Sequence, residues 1–256
     1  MINTGKLDKI KISLRNHGLL STIFIAIRYL ILISIGFVKR YQALWIKHAI
    51  DYRFDKKFGI DTAGKIKIDA LDLNYNSAEH ASPYEGTPPK AFIGVMRQIP
   101  ADYITHSIFV DFGSGKARSV LLASEYPFKK IIGIEFSPQL HSVAKLNCLK
   151  YRNTTQKCNN IELKCMDAID YNISSQQAIF FFYNPFNSTI MEKMASKIQK
   201  SLQEFPRKAF VVYFWPMHQE IWDDIDLFER YPIRQPIWPT KVSKKVVAVW
   251  VTKATI

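Results

Sequence analysis

The chain has 256 residues, 48% of them hydrophobic, which is enough to bury one sizeable α/β core with an element appended at its N-terminus. Its three cysteines, Cys148, Cys158 and Cys165, form no CxxC pair and adjoin no histidine cluster. That excludes a disulfide scaffold and a structural zinc site, and it fits a reducing, cytoplasmic setting. The net charge of +13 is unevenly spread: residues 1–57 carry eleven Lys/Arg against three Asp/Glu, a balance that attracts polyanions such as anionic lipid or nucleic acid.

Residues 1–50 read as a basic and apolar helical extension. Within it, residues 19–38 are long enough to cross a bilayer as a helix. About a dozen strongly apolar side chains at roughly −0.3 to −0.6 kcal/mol each outweigh one Arg28 at about +2.5 to +3.5 kcal/mol. The polar positions Ser21, Thr22, Arg28, Tyr29 and Gly36 fall on one narrow stripe, and lysines and arginines flank both ends. A helix lying in an anionic membrane interface, at the inner face of the cytoplasmic membrane, accounts for this pattern. An amphipathic helix packed on the rest of the chain or on another subunit accounts for it as well. A secretory signal fits poorly, because the run is long, contains Arg28 and lacks an A-x-A-like exit.

Residues 51–106 form a connector punctuated by Gly59, Gly64, Pro83, Gly86, Pro88, Pro89 and Pro100. Alternation predicts a short strand over Lys65–Asp69, and Thr87 followed by Pro88 predicts a capped helix start leading into Ala91–Gln98. Residues 107–256 are regular. Doubly buried strands are predicted at Ser107–Phe112, Lys130–Glu135, Glu162–Met166, Ala178–Tyr183 and Phe210–Trp215. Helices are predicted between them at Lys116–Tyr126, Pro138–Arg152, Ser188–Phe205 and Met217–Phe228. Ile233–Ile237 and Val246–Thr252 then read as a closing hairpin. The expected fold is α/β: a doubly wound, mainly parallel sheet of about seven strands ending in an antiparallel hairpin, with an N-terminal helical extension.

The stretch Phe109–Arg118, FVDFGSGKAR, runs a hydrophobic strand into Gly113-Ser114-Gly115 and on into a helix. Such glycines permit a tight turn and close approach of the backbone to a ligand. Glu135 closes the second strand twenty-two residues after Gly113, the place from which a carboxylate reaches a ribose diol. Asp167 closes the third strand, a position from which a carboxylate could meet an adenine edge. With Asp111, three acids at the ends of successive strands converge on one crevice. A phosphate-binding P-loop is excluded, because Gly113-Ser114-Gly115-Lys116 is too short and lacks the following Ser/Thr. A dinucleotide site prefers a third glycine where Arg118 stands, and Asp111 suits a cationic ligand better than a pyrophosphate.

The run VDFGSGKAR…IIGIEFSPQL resembles the class I S-adenosylmethionine-dependent methyltransferases. It is most similar to a bacterial group of that class sharing an RFDKKFGIDT-like segment (Arg53–Thr62), a Tyr-x-x-Thr-Pro segment (Tyr84–Pro88) and Asn-Pro-Phe (Asn184–Phe186). The resemblance covers about residues 51–215. It implies S-adenosylmethionine bound at Asp111, Gly113, Ser114 and Gly115, at Glu135 and Phe136, and at Asp167 and Ala168. Tyr84 and Thr87 would contact it from a lid within residues 51–106, together with Asn184. Tyr84–Pro88 is similarly placed to the cofactor-contacting loop of two lysine methyltransferase groups, the non-SET histone enzymes and those acting on the ATP synthase c-subunit. The acceptor implied is a nitrogen of a protein or small molecule, with Tyr183, Asn184 and Phe186 as catalytic-site candidates. Asn-Pro-Phe looks like a shortened Asn-Pro-Pro-Tyr/Phe motif of amino methyltransferases, one proline missing. Ala117 stands where many relatives have Gly, a mild departure because Ala is a good helix former.

Two readings from other classes stay open: an NAD-dependent oxidoreductase, and a membrane-associated adaptor that keeps the fold without catalysis. The six histidines are dispersed without ligand spacing, so no metal is expected. Nucleic acid is disfavoured as a partner, since most of the excess charge lies outside the core and no basic–aromatic module is visible.

Overall fold

The computed structural model describes residues 49–71, 81–236 and 246–253. Residues 19–38, and the membrane expectation attached to them, lie outside the described residues. Among the described residues, no helix is long and apolar enough to cross a membrane.

A first helix, α1, covers residues 49–58. A two-residue strand β1 (Lys65–Ile66) pairs antiparallel with β2 (Tyr84–Glu85), followed by helices α2 (Pro89–Met96) and α3 (Ala101–His106). The regular part alternates β3 (Ile108–Phe112), α4 (Arg118–Ala123), β4 (Lys130–Glu135), α5 (Pro138–Lys150), β5 (Ile161–Cys165), β6 (Ala178–Tyr183), α6 (Ser188–Glu204) and β7 (Ala209–Phe214). Helix α7 (Gln219–Asp223) and strands β8 (Phe228–Arg230) and β9 (Val247–Thr252) end it.

Seven strands form one sheet in the order β5-β4-β3-β6-β7-β9-β8. β3 to β7 run parallel, and β9 lies antiparallel between β7 and β8. The expected doubly wound sheet with an antiparallel finish is thus present. The central strands bury both faces. Phe109, Ile179 and Phe181 point into one apolar layer, while Ile108, Val110, Phe112, Phe180 and Phe182 point into the other. Because β3 pairs with both β4 and β6, the strand order reverses beside it, and a crevice opens there at the carboxyl ends of the strands.

Several boundaries differ from expectation. The first arm of the closing pair is Phe228–Arg230, and of the expected Ile233–Ile237 the described residues, 233–236, are in no strand. Pro232 and Pro236 remove ladder donors from the later stretch, whereas Phe228 buries against Trp222. Glu229 and Arg230 leave that sheet edge charged, a protection against edge pairing. Helix α7 has five residues instead of twelve, since Asp223, Asp224 and Asp226 oppose the dipole at its C-terminal end. β5 is only half-buried because it is the outer strand, and Glu162 there joins Lys130 and Lys164 at 2.6 Å each. Thr87 does not cap α2. Pro88 holds the cap position and makes no side-chain bond, while Thr87 is buried beside the crevice.

Candidate cofactor site

Four amides of the turn after β3 are engaged within the protein. Gly113 and Ser114 both donate to the Ile134 carbonyl at 2.9 Å, Gly115 donates to Glu135 Oε2 at 2.8 Å, and Ala117 donates to Ser114 O at 2.8 Å. Gly113 has φ of 81° and Gly115 of 54°, the left-handed region that glycine enters without penalty. Space makes the same demand. A Cβ on Gly113 would stand 2.6 Å from Pro185 Cβ, and one on Gly115 would stand 2.3 Å from the Tyr84 ring. Ala117 also sits left-handed, at φ 72°, just before α4 begins at Arg118. The expectation that it is helical is therefore corrected. Glycine would enter that φ without penalty.

Two buried acids flank this turn. Asp111 is 1% exposed and accepts from Ser119 Oγ. Burial pushes its carboxyl up to about 7, against the Ser119 hydrogen bond and with help from the Glu135 charge. Glu135 is also pushed up to about 7 by burial, although Ser137 N at 2.9 Å and Gly115 N donate to it. The cations nearby are already committed. Lys116 Nζ lies 2.7 Å from Asp61. Arg118 is 1% exposed and pairs with Asp51, with Asp55 at 3.3 Å and with Thr62 Oγ1 at 2.6 Å. Asp55 in turn accepts the Thr62 and Ala63 amides at 2.6 and 2.5 Å. The RFDKKFGIDT segment and the GSGKAR turn, read separately in the sequence, are one buried ion-pair cluster.

Two recesses open over the turn and share Gly113, Phe136, Ala81 and Phe186 as wall. The first, of about 60 Å³, holds Asp111, Glu135, Gly115 and Thr87, and the Tyr84 ring closes it. Tyr84 Oη donates to Thr62 O at 2.7 Å, and burial holds its hydroxyl far above the ordinary value. The second, of about 270 Å³, is an apolar slot between Phe136, Met166, Ile169 and Ile190, with Asp167 and Ala168 at its edge. Asp167 is exposed and accepts from Ile169 N at 2.9 Å.

Of the residues singled out in the sequence, Tyr84, Thr87, Asp111, Gly113, Ser114, Gly115, Glu135, Phe136, Tyr183 and Phe186 meet at the first recess, and Asp167 and Ala168 at the second. Asn184 lines neither. It has φ 40°, and its Oδ1 accepts from Tyr213 Oη at 3.2 Å. Tyr183 Oη donates to Glu85 at 3.3 Å. The 81–88 segment is stitched to the Asn184–Phe186 turn by an Ala81–Phe186 bridge and by Ser82 N donating to Pro185 O at 3.0 Å. Arg118, Ser119, Ile190 and Lys193 also line the recesses and were not foreseen. Ser119 carried a signal, since it follows Asp111 by eight residues in the same strand–turn–helix unit. Ile190 and Lys193, on a distant helix, carried none.

No protein-family model matches the chain, and no curated protein sequence does. Among solved structures, it is similar to an RNA methyltransferase from Salinibacter ruber in complex with S-adenosyl-L-homocysteine, at 17% identity and a TM-score of 0.39, over 63% of this chain and 92% of that one. It is similar to a magnesium protoporphyrin IX methyltransferase from Synechocystis with bound S-adenosylmethionine, at 12% identity and 0.45, over 64% and 79%. A tRNA (m1A58) methyltransferase from Aquifex aeolicus matches at 13% and 0.42, over 68% and 79%.

Proposed function

We propose that this protein is a class I methyltransferase that binds S-adenosylmethionine in the two recesses and methylates a nitrogen of a protein or small molecule. The observation that carries the reading is the balance of charge at the glycine turn. Two buried acids, Asp111 and Glu135, face the first recess, while Lys116 and Arg118 are neutralised by aspartates and the Gly113, Ser114 and Gly115 amides are engaged within the protein. At the glycine turn a pyrophosphate would find Lys116 and Arg118 already paired and the Gly113, Ser114 and Gly115 amides already engaged, which argues against NAD. A ligand bearing a sulfonium and an ammonium finds the opposite charge. Bound there, S-adenosylmethionine supplies an activated methyl group. Asp111 and the glycine turn would hold its methionine end, Glu135 its ribose, and Met166, Ile169 and Asp167 its adenine.

The chain's own tasks would be alignment and exclusion of water. Tyr183, Pro185 and Phe186 line the first recess with Gly113, and Glu85 stands there too, where its carboxylate would attract an ammonium that must then lose a proton to solvent before its nitrogen lone pair can attack the methyl group. A neutral amine needs little further acid–base help. Calorimetric titration of the full chain with S-adenosylmethionine, S-adenosylhomocysteine and NAD tests the reading. Micromolar binding of the first two is expected, weakened at least about tenfold in Glu135→Gln, with NAD silent. Binding of NAD alone would overturn the enzyme class, and binding of none would favour an adaptor.

A further inference from the structure

Helix α1 packs one side onto the end of α5, with the Phe54 and Phe58 rings 6.5 and 4.6 Å from that of Tyr151. The Asp61 backbone exchanges hydrogen bonds of 2.8 and 2.7 Å with the Asn147 side chain on α5. The opposite side of each of the two helices faces outward. There Tyr52, Leu146 and Leu149 are 57%, 55% and 68% exposed, three of the six large hydrophobic residues exposed among the described residues. Around them stand Arg53, Lys56 and Lys57 on α1 and Lys145 and Lys150 on α5, all exposed. Among the described residues none of these cations is in an ion pair, and α5 contains no acid. The acids at the margin are engaged elsewhere. Asp61 pairs with Lys116, and Glu125 accepts from Tyr151 Oη and Asn153 at 2.7 Å each.

We infer that this face docks on an anionic phospholipid surface. Lone exposed leucines need no explanation, but exposed leucines flanked on their helix by exposed lysines in no ion pair among the described residues match a surface that is anionic outside and apolar beneath. The leucines enter the headgroup–acyl boundary, and the lysines meet lipid phosphates. A nucleic acid would engage the cations but leave the leucines in water. The sequence entering α1 agrees, because Lys39, Arg40 and Lys47 follow the apolar run 19–38, and stable anchoring takes two signals. The inference is independent of the proposed reaction.

The full-length chain would be co-sedimented with vesicles of phosphatidylcholine alone and with about one-third phosphatidylglycerol, alongside two variants, Leu146→Gln/Leu149→Gln and Lys145→Glu/Lys150→Glu. The parent should bind the anionic vesicles and not the neutral ones. Each variant should bind them about tenfold more weakly or worse, with melting midpoint and S-adenosylmethionine binding unchanged. Equal binding by parent and variants would assign membrane contact to residues 1–48 alone and overturn the inference. Failure of the parent to bind would do the same. So would variants that keep vesicle binding but lose binding to polyuridylate.

Discussion

Raising the pH should loosen the free fold and tighten cofactor binding, and one cause drives both trends. Burial moves Asp111 from an ordinary 3.8 to about 7, and Glu135 from 4.5 to about 7. The fold therefore favours the neutral form of each acid. Between about pH 4 and 7 the folded state holds more protons than the unfolded chain, so stability falls as pH rises through that window. At about 1.4 kcal/mol per pH unit, each carboxyl taken alone accounts for roughly 3–4 kcal/mol. The sum is an upper bound, because the two titrate as a coupled pair. A bound cation reverses the preference. Affinity for S-adenosylmethionine should rise through pH 7, about tenfold between pH 6 and 8 for each carboxylate that must ionise. Urea unfolding at pH 5, 6, 7 and 8 reads the first slope, and calorimetry across pH 6–8 reads the second. Asp111→Asn should flatten its own share of both. A urea midpoint that stays constant from pH 5 to 8, or affinity that falls as pH rises, would refute the placement of buried acids against a cationic ligand.

Arg118→Met should cost about 3–5 kcal/mol, since it leaves Asp51, 6% exposed, without its buried partner. For a domain of this size that is a fall in melting temperature of roughly 6–20 °C. Adding Asp51→Leu should recover about half of the loss, and a cost below about 1 kcal/mol for Arg118→Met would mean that the cluster does not hold α1. Ala117→Gly separates two conformations by its sign. In a right-handed helix it would cost about 1 kcal/mol. At φ 72°, relief of about 1–2 kcal/mol of left-handed strain offsets the lost methyl, so the chemical-denaturation midpoint should hold or rise.

The sheet was legible because its signal is local. Runs such as Ile131–Ile134 and Ala178–Phe182 carry no charged or hydrogen-bonding side chain, as strands covered on both faces require, and the limits of their strands, Lys130–Glu135 and Ala178–Tyr183, match the expectation. The glycine turn and the two acids beside it, Asp111 and Glu135, were legible for a related reason, whereas Asp167 stands apart from them at the edge of the second recess. Strand ends in a parallel sheet share one side, so their residues converge without knowledge of any side-chain contact. Asn184 shows the limit of such reasoning. Its place after β6 follows from the sequence, but its turn toward Tyr213 depends on a neighbouring strand.

The sequence by itself determined the order of strands and helices, the position of the glycine turn and the acids that meet there, since hydrophobic period and turn chemistry act over a few residues. Only the tertiary structure decided that Arg118 closes on Asp51 and Asp55, that Lys116 reaches Asp61, that Tyr84 covers Gly115 and that Phe228–Arg230 takes the sheet edge. Those pairings join residues far apart in the chain. Their partners are chosen by how helices and strands pack together, which no local pattern of residues encodes.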